Sequence, residues 1–469
     1  SARFATFEEI KKSGLIGNDK GVFVGAIEHK NTWHFLRHNG VEHCLALAPT
    51  RSGKGICLVV PTLLTWEQSA IIYDIKRELW HLTSKYRNKI GKCYLFDPSS
   101  PESSCFNPLS EVRLCTEKQI ADAQNIAYML VDRDGLGFDG DYWKEASYVL
   151  LIGAILYVLH NDSNANLYDV LSFFSSEDTN HLTMDKMAKF ECHDKIAQKE
   201  IQNIGNSMFK TPEKELAGII NSASKCLSIF RDPLIQKITS YSEFSILDIV
   251  NSEKPISLYM AFDPSNLDRL RPLIRLITNQ ILKKLTESMK FENGQGLSPH
   301  KYKLLMMLDE FTALGKLEIL QRSLGFMASY GIKAYLIAQD ISQVHACYTG
   351  NESLTANCHI QVAFTPNSGR IETAKYLSDL LGNKTEYKTA ISISGKTGNI
   401  KNDGFSSHID EIKRPLMTAE EILRMKGLTK DGEKVIDTGN MLIFVNGINP
   451  IFGKQAPYFM NGSMMSRIV

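Results

Sequence analysis

The chain has 469 residues, 43% hydrophobic and 22% charged, with a formal net charge of +1. That composition is ordinary for a globular protein of about three domains, or of one large α/β domain with an insertion. It excludes a global electrostatic pull towards nucleic acid, so any such contact has to be local.

Residues 1–40 are mixed and polar, with one short amphipathic helix expected over Phe7 to Lys12. The first residue is Ser1 rather than Met, which leads us to expect a piece of a longer protein. From Val41 onward, strand-like apolar runs alternate with helical stretches. The runs are Cys44–Ala48, Ala70–Tyr73, Cys93–Phe96, Ile256–Ala261, Leu304–Leu308, Ala334–Ala338, Ile360–Phe364 and Met441–Val445. Short continuous apolar runs of this kind read as buried parallel strands, and the alternation as a doubly wound, mostly parallel α/β sheet. Between about Arg113 and Ser245 only helical periodicity is found, with caps at Asp141 and at Thr211-Pro212. Tyr148–Leu159 is apolar nearly all round, so it is expected at the centre of a bundle with a core of its own. The run is short of the about 20 residues a bilayer span needs, so neither a membrane helix nor a signal peptide is expected. Gly382–Ser407 is rich in Gly, Ser, Thr and Lys and reads as an exposed hairpin or loop. The expected division is 1–40 as a leading segment, 41–112 with 246–469 as the sheet domain, and 113–245 as an inserted all-α domain. The nine cysteines contain no C-x-x-C pair, so a disulfide framework is not expected and a reducing compartment is. Cys192-His193 and Cys358-His359 lack zinc-type spacing and read as packing residues.

Three short stretches carry chemistry. Ala48-Pro49-Thr50-Arg51-Ser52-Gly53-Lys54-Gly55 follows a strand and precedes the apolar run Ile56–Leu64, the setting of a phosphate-binding loop. Backbone N–H groups at the helix start form an anion nest, and Lys54 adds a point charge for the β- and γ-phosphates. Ala48 stands in place of the usual first glycine, and Gly55 in place of the Ser or Thr that usually reaches Mg²⁺. Ser52, Thr50 or ordered water has to replace that hydroxyl. The strand Leu304–Leu308 ends in Asp309-Glu310, at the edge of a parallel sheet that faces a ligand. Asp309 is expected to hold Mg²⁺ through water, and Glu310 to orient and activate the attacking water. Gln339 ends the strand Ala334–Ala338, where an amide can bond the γ-phosphate or that water. Loop lysine, strand-end Asp-Glu and strand-end Gln, in this order, form the RecA-like arrangement of an ATP- and Mg²⁺-using motor. Gly395-Lys396-Thr397 also spells the end of a phosphate loop, but no apolar helix follows it, so it is set aside.

The chain resembles the TraG-type coupling proteins of type IV secretion. The likeness runs through residues 48–55, Val60-Pro-Thr-Leu-Leu64, Asp74-Ile-Lys-Arg-Glu78, Phe96-Asp-Pro98, Phe106-Asn-Pro-Leu109, Leu308-Asp-Glu-Phe311 and Ala338-Gln339. It covers nearly the whole chain, and the substituted Gly55 is itself frequent in that family. The resemblance implies a homo-hexameric ring held at the cytoplasmic face of the inner membrane by N-terminal helices. It also implies an inserted all-α domain and ATP-driven passage of substrates into a secretion channel. The substrates implied are single-stranded DNA with bound relaxase, or effector proteins. Residues 2–7 look like the family's segment just beyond the membrane anchor. Where some relatives place a trans-acting arginine this chain has Ala328, which leaves Arg322, Lys333 and Arg370 as candidate cations.

Two other readings compete. A nucleotide-binding adaptor that recruits partners without turnover would need neither Glu310 nor Gln339. An FtsK-type DNA translocase is disfavoured by the helical insertion and by the lack of a basic, winged-helix-like tail. A small-molecule kinase fits least, because it leaves the insertion unexplained.

Overall fold

The computed structural model describes residues 1–175, 179–292, 295–348, 353–394, 404–432 and 434–468. Among them, eleven strands form one sheet. They are β1 (Val22–His29), β2 (Thr32–His38), β3 (Cys44–Leu47), β4 (Ser69–Ile75), β5 (Lys92–Phe96), β6 (Ile256–Phe262), β7 (Leu304–Leu308), β8 (Ile332–Ala338), β9 (Ile360–Phe364), β10 (Asn440–Val445) and β11 (Ile451–Lys454). The spatial order is β2-β1-β11-β10-β9-β3-β8-β7-β4-β6-β5. Strands β9 through β5 in that order run parallel, as their continuous apolar runs lead one to expect.

Every expected run is a strand, but Met441–Val445 lies in an antiparallel one. The short link 446–450 makes β10 and β11 a hairpin, and so short a link can join only antiparallel strands. The leading segment also needs correction. Helix Phe7–Lys12 is present with a capping box between Thr6 and Glu9, but residues 22–38 are not outside the sheet domain. They form its antiparallel edge as β1 and β2. Their pattern was obscured by the polar residues of β2 and by Gly25 inside β1. A Cβ on Gly25 would lie 2.7 Å from Ile443 Cδ1, and its φ of +139° accompanies a shift in register. Here the glycine marks a bulge in the pairing of β1 with β2, with its open face against Ile443 and Met441 of β10, rather than a break in the strand.

Between β5 and β6, which are parallel neighbours, the described chain is helical from Gln119 to Asn251 with connecting turns. Helix Tyr142–Asn161 lies at its centre. It has 20 residues, more than the sequence suggested, because Asp141 caps a polar first turn. Its length and composition would suffice to cross a bilayer, yet Leu150, Leu151, Ile155 and Leu156 are 0% exposed inside the helical bundle. The core around it is not a separate one. Leu150 and Ile155 belong to the same continuous cluster as Tyr73 and Met306 on one face of the sheet. The other face is covered by Leu58 and Leu63 of the helix after the phosphate loop, together with Ile10 and Met464. Residues 383–394 and 404–415 pair as an antiparallel hairpin; Gly395-Lys396-Thr397 lies outside the described residues.

One buried cation fixes the phosphate-loop helix to the sheet. Arg87, 2% exposed, donates from Nε to Ser257 Oγ (2.7 Å) on β6. It also donates to the carbonyls of Leu63 (2.9 Å), Trp66 (2.6 Å) and Gln68 (2.8 Å) at the end of that helix. Arg87→Met would leave these buried acceptors without charged donors, each worth about 1–3 kcal/mol. We expect a loss of about 3 kcal/mol or more, read as a lower urea midpoint. An unchanged midpoint would show that the tie contributes nothing.

Candidate active site

The sheet order determines the site. β8 lies between β3 and β7, so the residues after all three strands meet at one edge. After β3 the chain turns through Pro49, whose carbonyl accepts from Ser52 N (3.3 Å) and Ser52 Oγ (2.6 Å). Arg51 (φ 61°) and Gly53 (φ +94°) are left-handed, which wraps the backbone before the helix starts at Lys54. A Cβ on Gly53 would lie 2.9 Å from Leu428 Cδ2 and 3.7 Å from Gln455 Oε1, so the loop is backed by the C-terminal part of the chain. The helix opens with a π-turn over Gly55–Val59. Pro61 accounts for it, since it has no N–H and its ring would strike the carbonyl four residues earlier in a regular α-turn.

The predicted residues converge. Lys54 Nζ hydrogen-bonds Glu310 Oε1 at 2.8 Å and forms an ion pair with Asp309 Oδ1 at 2.8 Å. Gln339 Nε2 donates to Glu310 Oε1 (3.1 Å) and Oε2 (2.9 Å). Glu310 holds a left-handed backbone, φ 54°, which turns its side chain back towards the loop. Strain of this kind costs on the order of 1–3 kcal/mol and gathers at functional sites. Burial pushes the Asp309 carboxyl up, and Lys54 opposes that push. Burial draws the Lys54 ammonium down, but the two carboxylates outweigh it and the net shift is upward. A single cation thus serves two acids.

Asp309 Oδ1 is buried, with Lys54 Nζ at 2.8 Å as its one partner among the described residues. A hard oxygen left in that state suits Mg²⁺, which takes one or two carboxylates and completes its shell with water and phosphate. The Ser52 hydroxyl is engaged with the Pro49 carbonyl, and Thr50 and Arg51 are exposed at the loop's outer rim. Around Gly55, a Cβ would meet nothing within 4 Å, so packing does not require glycine there.

The three candidate cations separate. Lys333 cannot serve a neighbouring subunit. It is 5% exposed, and Nζ donates to Gly40 O (2.9 Å) and His38 Nδ1 (2.9 Å). Burial lowers the His38 pKa to about 4, so its neutral ring can accept. Lys333 is also the second residue of β8, whereas Gln339 follows its end, so it lies at the opposite edge of the sheet. Arg370 reaches Asp340, the residue after Gln339, at 3.3 Å. Arg322 is 76% exposed, with Glu318 at 3.3 Å.

Other residues gather at this edge, among them members of the Asp74–Glu78 segment, to which the sequence assigned no role in the site. Asp74 at the end of β4 accepts from Leu79 N (3.0 Å) and Trp80 N (2.6 Å); burial pushes its carboxyl up to about 6. Lys76 and Arg77, both left-handed, continue the same edge one strand away from Asp309. Gln455, 1% exposed, backs Gly53 from almost the other end of the chain. Only tertiary structure brings it there.

Comparison with known proteins identifies the family and the fold. A family model described as "Type IV secretory system Conjugative DNA transfer" matches residues 3–469. The conjugal transfer protein TraG of Escherichia coli is 40% identical over all of this chain and 78% of its own length. VirD4 of Agrobacterium fabrum (strain C58 / ATCC 33970) is 26% identical over 98% of this chain and 65% of its own. Among solved structures, the plasmid coupling protein TrwB in complex with ADP and Mg²⁺ superposes with a TM-score of 0.68 at 15% identity. That match covers 97% of this chain and 94% of TrwB. The chain therefore belongs to the type IV secretory system conjugative DNA transfer family, as a TraG-type coupling protein.

Proposed function

We propose that this chain is the ATP-hydrolysing motor of its coupling protein and drives single-stranded DNA with bound relaxase, or effector proteins, into a type IV secretion channel. The observation that carries the reading is the joint engagement of Glu310 by Lys54 (2.8 Å) and Gln339 (2.9 Å). A nucleotide clamp needs no positioned carboxylate of this kind. Lys54 exchanges its carboxylate partners for the β- and γ-phosphates. Glu310, so released, accepts a proton from the attacking water, and Gln339 follows from Glu310 to the γ-phosphate or that water. Asp309, with the loop's backbone, would hold Mg²⁺, which neutralises developing phosphate charge. TrwB, which shares this fold, was solved in complex with ADP and Mg²⁺, which supports the two as ligands of this chain.

A homo-hexamer anchored at the cytoplasmic face of the inner membrane completes the reading. For the helical segment we infer contact with a phosphate-bearing strand. A cavity of about 360 Å³ there is lined by Trp143 and Cys226, by the cations Arg133, Lys144 and Lys225, and also by Asp132, Asp134 and Asp141. Burial pushes the Cys226 thiol up, and the three cations gathered around it oppose that. Trp143, 47% exposed, offers a stacking face beside them.

Three experiments test the reading. Lys54→Ala should lose ATP binding or hydrolysis, whereas Glu310→Gln should keep binding and lose turnover by about 10²–10⁴. Parental turnover in Glu310→Gln would remove the catalytic assignment, and no turnover in the parent would favour the adaptor.

Among the described residues Lys54 alone pairs with Asp309 and Glu310, and a trans-acting arginine contributes about 10³–10⁵ in rate, so specific activity should rise steeply with protein concentration. Arg322→Ala or Arg370→Ala should keep ATP affinity and abolish that rise, and mixing with Lys54→Ala should restore part of it. Activity strictly proportional to concentration, with both variants normal, would sink the composite site.

Trp143→Ala with Lys144→Glu should weaken binding of a labelled single-stranded oligonucleotide and flatten its salt dependence. Unchanged binding would move the strand elsewhere.

A further inference from the structure

Glu310 is held in its left-handed conformation from both sides. Before it, β7 pairs with β8 as far as Leu308 opposite Leu336. After it, the chain makes one tight turn, with Ala313 N donating to Glu310 O (2.8 Å) and Gly315 N to Thr312 O (3.1 Å). That turn is pinned from outside. Arg275 projects from helix Leu267–Leu285 and is 1% exposed. Its Nη1 donates to Leu314 O (3.2 Å) and to Lys316 O. Its Nη2 donates to Asp132 O (3.4 Å) and lies 3.7 Å from Asp132 Oδ2. Asp132 opens the 132–141 loop of the helical segment, just before helix Tyr142–Asn161.

The same loop also touches the turn directly, backbone against backbone. Gly135 (φ +77°) packs so closely that a Cβ there would lie 2.2 Å from Lys316 O. Facing it, Gly315 (φ +74°) has Asp134 O 3.4 Å from its own Cβ position. A strained backbone persists only where its surroundings over-determine it. Here those surroundings include a loop that belongs to the helical segment.

We propose that Arg275 and the Gly135 loop are positioning elements for Glu310, so that the helical segment acts on ATP turnover within its own subunit. The proposal rests on the reading of Glu310 as the residue that activates water. A cargo that shifts the 132–141 loop would alter turnover without touching the nucleotide.

The test compares Gly135→Ala and Arg275→Lys with Gly140→Ala. Gly140 lies in the same loop with φ +82°, but its Cβ position has nothing within 4 Å, so it controls for backbone strain alone. In Gly135→Ala and Arg275→Lys we expect kcat to fall about tenfold to a hundredfold, the cost of a misplaced catalytic group, with affinity for a non-hydrolysable ATP analogue unchanged. Amide hydrogen exchange over residues 310–316 should quicken in both and stay parental in Gly140→Ala. The double variant should be no slower than the worse single one, because both changes break one contact. Parental kcat and parental exchange in Gly135→Ala would overturn the proposal, as would an equal loss in Gly140→Ala. If Arg275→Lys fails to fold, Gly135→Ala still decides. A parent that turns over no ATP overturns the reading of Glu310, and the exchange comparison then judges the brace independently.

Discussion

One ammonium between two carboxylates organises this molecule. Lys54 lies 2.8 Å from both Asp309 and Glu310, which are separated from it by more than half the chain. Two adjacent acids at a sheet edge would repel each other and resist burial; a cation between them permits both to stay inside. The arrangement requires the strand carrying Lys54 and the strand carrying the acids to end at one edge. A third strand lies between them, with Gln339 following its end. On the proposed reading, phosphate takes the place of the carboxylates at Lys54, since all three partners already face the same point.

Holding that edge together requires charge elsewhere in the interior. Arg87 fixes the helix after the phosphate loop to β6 on one face, through carbonyls rather than acids. Arg275 joins helix, loop and catalytic turn on the other. Guanidinium suits both places because it keeps its charge when buried and offers several donors in a rigid plane. Each arginine connects segments that no single apolar contact could hold in register. The helical segment, sharing a core with the sheet and a brace with the turn, is thus mechanically part of the nucleotide-facing half.

Sequence and structure agree most closely where information is local. The phosphate loop needs a strand, a left-handed glycine and a helix in succession, and residues 44–63 contain all three in order. Asp309-Glu310 and Gln339 were legible because each follows a continuous apolar run, which can only be a buried strand in an alternating α/β pattern. The antiparallel edge was less legible. Strands β1, β2 and β11 are interrupted by Gly25, by polar residues or by Gly453, and they read as strands only once their partners are known. Lys333 shows the same limit from another side: nothing in its neighbours reveals that Gly40 and His38 bury it.

The sequence by itself determined the strands of the parallel core, the phosphate loop, the two acids, the glutamine and the helical character of the stretch between β5 and β6. These depend on apolar period and turn chemistry within about twenty residues, which the chain displays directly. Tertiary structure alone decided that β8 separates β3 from β7, that Gln455 and Leu428 back the loop, and that Arg275 and Gly135 brace the acids. Those contacts join residues far apart in the chain. They arise from strand order and from which buried polar groups find partners, and neither leaves a periodic trace in the local sequence.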